Sequence, residues 1–318
     1  MNSVEAIAAH EHPSWIPGEE VCHHNGEAVW RHVVYFEPPP AEIGPVLAAA
    51  STLPPGKKPA SPAKRFAWSL GVFLAIMLPM ELMVIAKVTG PDKSVIRIVS
   101  GLFALAISGV VLAAMSFKHV CTYVGELGIA RFTIRGSLDN EPMREVFEFK
   151  DAGDLKTGQT RQFVNGIYSG TDFHHTWYDY EGRKVFAFKG RFHSKDGVPK
   201  AKDNYWFARA SELAWNAFIS EAMQSELDEL GFVQFNVNKN DWVRVGSGFM
   251  EFNFGGQSNR VTVEDIKTLS IDQGTFTILT HDAGWFSNKG KFRFDYSRIA
   301  NAQMFLVALE KLLGYQFD

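Results

Sequence analysis

The sequence predicts an α+β membrane protein: a two-helix transmembrane hairpin, then two tandem antiparallel β units, each closed by a C-terminal helix. Three observations predict it. Two apolar runs of membrane-spanning length lie close together, with only Lys87 to Arg97 between them. After the second run, short alternating stretches are separated by glycine and acid-glycine turns, the pattern of antiparallel strands. Those stretches end twice in a segment of helical period.

The first apolar run, Phe66 to Ala86, has 21 residues and one charge; the second, Ile98 to Phe117, has 20 and none. About 20 apolar residues rising 1.5 Å each cover a hydrocarbon core of roughly 30 Å. Soluble helices keep a polar face, and the second run has only isolated serines. The short connection makes the spans antiparallel neighbours, so both flanks lie on one side. Lys57, Lys58, Lys64, Arg65 and Lys118 flank the hairpin, against Lys87, Lys93 and Arg97 in the connection. That bias favours a cytoplasmic (inner) membrane protein with both chain ends in the cytosol. The amino-terminal MNSVEAIAAHEHPSW lacks a basic region followed by an apolar run, so it does not read as a signal peptide.

Glu81 lies inside the first span, two residues after Pro79. An intramembrane carboxylate is a functional candidate, but at about 9 Å from Ala86 it can reach the interface or pair with Arg97. In the second span Ala104 with Ser108, and Gly109 with Ala113, have the spacing that allows close helix contact.

Residues 1–38 are polar and histidine-rich. EEVCHHNGEAVWRHVVYF reads as two short strands joined by Asn25-Gly26, a dipeptide that favours a type I′ turn. Residues 39–65, rich in Pro, Ala and Ser, read as a linker into the membrane.

The two β units are expected at 118–230 and 231–318. A helix from Ser211 to Leu230, with Ser211 as N-cap and Gly231 just past its end, closes the first. Trp215, Phe218, Ile219, Ala222 and Met223 form its apolar stripe. A helix from Ser297 to Leu313, stopping at Gly314, closes the second. EFKDAGDLK (148–156) aligns without gaps on TVEDIKTLS (262–270), so the units read as a duplication. About 55 residues separate Leu155 from the first helix and about 28 separate Leu269 from the second, which implies an insertion in the first unit.

CTYVGELGIARFTIRG followed by VFEFKDAGDLK, then TVEDIKTLS and NAQMFLVALEKLLG, resembles the pleckstrin-homology (PH) superfold over roughly residues 119–318. It is similar to bacterial membrane-anchored proteins with tandem PH-like domains. The resemblance implies a seven-stranded barrel or sandwich capped by one helix in each unit. It does not carry over a phosphoinositide site, because Asp139 and Glu141 lie beside Arg131 and Arg135, and Asp241 beside Lys239.

Four groups of residues are candidate sites. Arg183, Lys184, Lys189, Arg191, Lys195, Lys200 and Lys202 face Asp196 as the only acid in their stretch, which suits an anionic membrane or partner. Trp285 and Phe286, in a turn with Lys289 and Lys291, suit a membrane interface. His10, His12, Cys22, His23, His24 and His32 are metal-capable, but their spacing matches no zinc pattern. His174 and His175 lie on an alternating run and point to opposite faces.

A formal net charge of -3 excludes a strongly basic nucleic-acid binder. Two widely separated cysteines, Cys22 and Cys121, do not make a disulfide framework. No nucleophile elbow, P-loop, HExxH or dinucleotide fingerprint is present, and no cofactor is expected. The expected function is a membrane-tethered, non-enzymatic scaffold that binds a protein partner, the bilayer surface, or both. The alternative is an accessory subunit of a membrane transport or export complex, in which Glu81 contacts a pore or carrier.

Overall fold

The computed structural model describes residues 15–56, 59–87, 92–194, 197–284 and 289–315. Among these residues the fold is α+β, with four antiparallel sheets and two helices long and apolar enough to cross a membrane.

Those helices are α1 (Pro62–Lys87) and α2 (Asp92–Ala114). Their mean hydropathies are 2.1 and 2.3 over Pro62–Ala86 and Lys93–Ala113. Most of their large side chains, Leu78, Leu82, Leu102 and Phe103 among them, are exposed around the pair. Ser100, Ala104 and Ser108 are buried along a four-residue-spaced seam of α2, and Val84 is buried on α1. Small side chains there let the helix backbones approach. Gly109 and Ala113, one helical step round, are exposed. α1 continues through Pro79.

The strand β1 (Val46–Ser51) lies within the stretch expected to be a linker. It pairs antiparallel with β2 (Lys118–Gly125), Ser51 opposite Cys121, across the whole of the helical hairpin. With β3 (Gly128–Arg135) and β4 (Met143–Glu148) they form one sheet in the order β1-β2-β3-β4. The first β unit therefore begins before the hairpin rather than at residue 118. VLAAAS hides this, because small residues have low strand propensity and gain theirs from packing.

A three-stranded sheet follows, β5 (Asp154–Val164), β6 (Ile167–Tyr178) and β7 (Lys184–Phe192), and then α3 (Tyr205–Leu230). The second unit repeats the order. β8 (Phe232–Asn236), β9 (Trp242–Gly246), β10 (Phe249–Phe254) and β11 (Gln257–Thr262) make four strands. β12 (Ile266–Asp272), β13 (Thr275–Thr280) and β14 (Lys291–Asp295) make three, and α4 (Ala302–Leu313) ends it. The gapless alignment matches equivalent places: short 3-10 turns at Phe149–Asp151 and Val263–Asp265 each lead into the next strand. The added length of the first unit is distributed. β5 and β6 have 11 and 12 residues against 7 and 6 in β12 and β13, and α3 begins only at Tyr205, after β7 ends at Phe192.

Alternation in the first sheet buries both faces. Ala48, Val124, Ile129 and Phe147 pack inward with Trp177, Phe188 and Trp215. Ala49, Cys121, Tyr123, Phe132 and Ile134 pack outward against Val21, Tyr35, Phe36 and Ile43. The amino-terminal segment is thus a cover for the sheet. Its Asn25-Gly26 turn forms, with Gly26 at φ 85°, but the expected hairpin is reduced to a Cys22–Ala28 bridge. Cys22 also bridges Ala48 in parallel, closing the β1 edge.

Both C-terminal helices start later or earlier than periodicity predicts. α3 begins at Tyr205, and Ser211 is buried inside it, its hydroxyl donating to the Phe207 carbonyl at 2.7 Å. α4 begins only at Ala302, because Asn301 sits in the left-handed region at φ 52°. Gly231 and Gly314 end the helices at φ 76° and 75°, as read from the sequence. α4 buries Phe305 and Leu309 in the core of β8–β14.

Asn301 also joins the two units. Its Oδ1 accepts from the Leu155 backbone N–H at 3.0 Å and from Trp215 Nε1 at 2.8 Å. Its own N–H donates to the Leu155 carbonyl at 2.7 Å. Met223 and Met304 touch both cores. Asn301→Gly keeps the backbone conformation and removes the side-chain acceptor for two buried donors. Each lost partner costs about 1 to 3 kcal/mol, so thermal unfolding of the detergent-solubilised protein is expected several degrees lower. An unchanged midpoint would show that Asn301 does not hold the junction.

Candidate functional site

Between the two units lies a cleft of about 510 Å³. The first unit contributes Thr157 to Thr160 of β5, His174 and His175 of β6, and Tyr205, Arg209 and Glu212 of α3; the second contributes Gln273, Gly274 and Asp295 to Ser297. The volume suits a small ligand or a few side chains of a partner, and such clefts favour unit interfaces.

His174 and His175 lie on adjacent positions of β6, yet both line the cleft. Gly158 stands opposite His174 in the ladder. A Cβ there would lie 2.5 Å from the His174 ring, so glycine leaves the room that the imidazole fills. His175 is buried on the other face, with Nε2 3.4 Å from Glu212 Oε2. Its Nδ1 has no hydrogen-bond partner among the described residues.

Arg209, three residues before Glu212 on α3, donates from Nη1 to Glu212 at 2.6 Å and to Gln303 of the second unit at 2.9 Å. Gln303 also accepts from Asn216 at 3.0 Å. Gln159 donates to the Tyr205 hydroxyl at 3.0 Å. Burial pushes the Glu212 carboxyl up, but the hydrogen bonds and charges of His175 and Arg209 outweigh it and hold the group below the usual range. Burial, His175 and Lys189 lower the His174 pKa. Burial, then Glu212, pushes the Tyr296 hydroxyl up to about 12. The cleft therefore offers fixed donors and acceptors beside aromatic rings. Glu212 was missed in the sequence, where only its place beside the apolar Leu213, Ala214 and Trp215 marks it.

The basic stretch is divided by the fold. Arg183 pairs with Asp179 at 2.7 Å and with Glu181. Arg191 makes two bonds to Asp172 at 2.6 and 2.9 Å. Lys184 and Lys189 are exposed on β7, and Lys200 and Lys202 on the connection to α3. Sequence proximity suggested one patch; strand alternation and counter-charges separate it. Lys195, Trp285 and Phe286 lie outside the described residues. Lys289 pairs with Asp282 at 2.9 Å.

Glu81 Oε1 lies 3.0 Å from Arg97 Nε, an ion pair between α1 and α2. His10 and His12 lie outside the described residues. Cys22 donates to the Leu47 carbonyl at 3.4 Å, and His23 stacks on Trp30 at 4.7 Å, with His32 on the same indole at 5.7 Å. His24 is buried against Phe207, its Nε2 2.8 Å from Thr122 Oγ1. Among the described residues no three such side chains converge as a metal site. No known family model and no curated protein matches the chain.

Burial, reinforced by His23, lowers the His24 pKa to about 3 from 6.5. The folded state then refuses a proton that the unfolded chain accepts. Stability is complete above pH 6.5 and falls as pH drops toward 3, by on the order of a few kcal/mol. Glu212, lowered below its ordinary 4.5, adds a further loss at more acid pH. Denaturant unfolding from pH 7 to 4 is expected to show this slope, and His24→Gln to flatten it; an equal slope in the variant would remove His24 as its source.

Proposed function

We propose that the chain is a membrane-tethered interaction protein, held in a bilayer by the α1–α2 hairpin and presenting two PH-like units to a protein partner as one platform. The observation that carries this reading is the insertion of the hairpin between paired strands. β1 leads into α1 and α2 returns to β2, and the two strands are hydrogen-bonded neighbours. A body attached at two adjacent points cannot swing as it would on one flexible linker.

Four strands, three strands and a helix, twice over, support the PH-like assignment of each unit. The junction through Asn301 and Gln303 supports their acting together. The cleft exists only while both units keep register, so a partner that reads it reads both. Lys64, Arg65 and Lys118 on the body side of the hairpin, against Lys93 and Arg97 at its far end, support a cytosolic body on an inner membrane. The Glu81–Arg97 pair neutralises the carboxylate on which a transport role would rest.

A photo-crosslinking amino acid at Thr160, on the cleft rim, tests the reading in native membranes against the same group at exposed Glu264. A discrete protein adduct from position 160 alone, reduced about tenfold by Arg209→Ala, is expected. Equal adducts from both positions, or none, would overturn it.

A further inference from the structure

β5 and β6 extend beyond the body and close at Asn165-Gly166, both in the left-handed region at φ 51° and 78°. The tip is apolar and in solvent: Phe163 is 60% exposed, Val164 60% and Ile167 74%. The equivalent turn in the second unit, Gln273-Gly274, has the same backbone at φ 47° and 79°. It is shorter, flanked by Asp272 and Thr275, and folded into the inter-unit cleft. Fold closure thus requires neither the length nor the apolar character of the β5–β6 tip.

Cations flank it. Arg161 is exposed, its guanidinium packed beside Gly197, where a Cβ would lie 3.1 Å from Nη2. Gly197 belongs to the connection that carries exposed Lys200, Lys202 and Val198. The same connection begins at His193, whose ring lies 6.2 Å from Tyr168 at the base of the tip. Among the described residues, Arg161, Lys200 and Lys202 form no ion pair, whereas Arg191 nearby is neutralised by Asp172. Apolar side chains projecting from a cationic surround are the chemistry of an interfacial lipid contact: the apolar groups enter the acyl boundary and the cations meet anionic headgroups.

We propose that Phe163, Val164 and Ile167 insert into the headgroup boundary of an anionic bilayer, with Arg161, Lys200 and Lys202 selecting its charge. This rests on the reading that α1 and α2 span that bilayer. The tip would then be a second, reversible attachment that fixes the tilt of the tethered body.

The test uses the full chain in vesicles, with Cys22→Ser and a polarity-sensitive fluorophore on Val164→Cys; Cys121 is buried. Vesicles of phosphatidylcholine alone are compared with vesicles containing phosphatidylglycerol. Resistance to alkaline carbonate extraction reports hairpin insertion separately. The expected result is a blue-shifted probe, quenched by spin-labelled lipid, in anionic vesicles only. Each of Arg161→Gln, Lys200→Gln and Lys202→Gln should lower the inserted fraction roughly fivefold. A water-exposed probe in carbonate-resistant protein overturns the proposal and leaves the anchor standing. Carbonate extraction overturns both. Equal insertion in neutral vesicles overturns the charge selection. A shift that grows with protein density at fixed lipid assigns the tip to a second copy and also overturns it.

Discussion

The pairing of β1 with β2 is the constraint on which the rest depends. Residues 52–117 lie between these strands, yet Ser51 faces Cys121. Loop-closure entropy grows only with the logarithm of loop length, so a sheet tolerates such an insertion if its ends stay together. Adjacent ends make the two helices leave the sheet side by side. Hairpin topology is then compatible with the strand pairing alone. Ser69 donating to the Ser108 carbonyl at 2.9 Å and the Glu81–Arg97 pair complete a geometry already imposed at the base. The edge strand itself is weak, with small side chains, and the Cys22 bridge and the aromatic cover of Tyr35 and Phe36 secure it. Cys121 beneath that cover is pushed by burial up to about 11, a thiol held as a packing group.

The two units solve one problem in different ways. Each first sheet has an inner face in its core and an outer face to satisfy. In the first unit the outer face is apolar, and residues 15–44 cover it. In the second, Arg244 lies over Trp242 at 4.0 Å and Phe232 at 4.5 Å, and Arg260 over Phe249 at 3.6 Å. Guanidinium groups shield aromatic faces and keep their own charge in water. The two units therefore share an order of elements but differ on this face, where the amino-terminal segment supplies a cover for the first.

Much of this was legible in the sequence, and the rest was hidden for physical reasons. The helical hairpin, the repeated order of strands then helix, and the stops at Gly231 and Gly314 follow from hydropathy, period and backbone conformation. The 3-10 turns at 149–151 and 263–265 were visible because equivalent short-range turns need similar local residue patterns. β1 was not, since VLAAAS between prolines draws its strand character from neighbours distant in the chain. Nor was the early start of α3: Tyr205 to Ala210 reads as alternating when the burial that makes it helical lies across the sheet. Asn165-Gly166 carries the same turn signal as Asn25-Gly26, yet only the latter was read. The cleft could not be anticipated, because His175, Glu212 and Gln303 are brought together by a packing of units that no local period encodes.

That packing is polar where each unit's core is apolar, and the difference has a consequence. Val243, Phe252 and Phe305 in one core, and Phe149, Trp177 and Trp215 in the other, bury the area that stabilises each unit. The junction adds bonds accepted by Asn301 and Gln303 and one from Lys156, which donates to the Val237 carbonyl at 2.8 Å. Hydrogen bonds contribute little net energy each, but a misregistered polar junction leaves buried groups unsatisfied at a much larger penalty. An apolar interface could slide between near-equal packings; this one has a single register in which every named donor is met. The junction therefore fixes the relative geometry of two independently stabilised units, and the cleft they share inherits that definition.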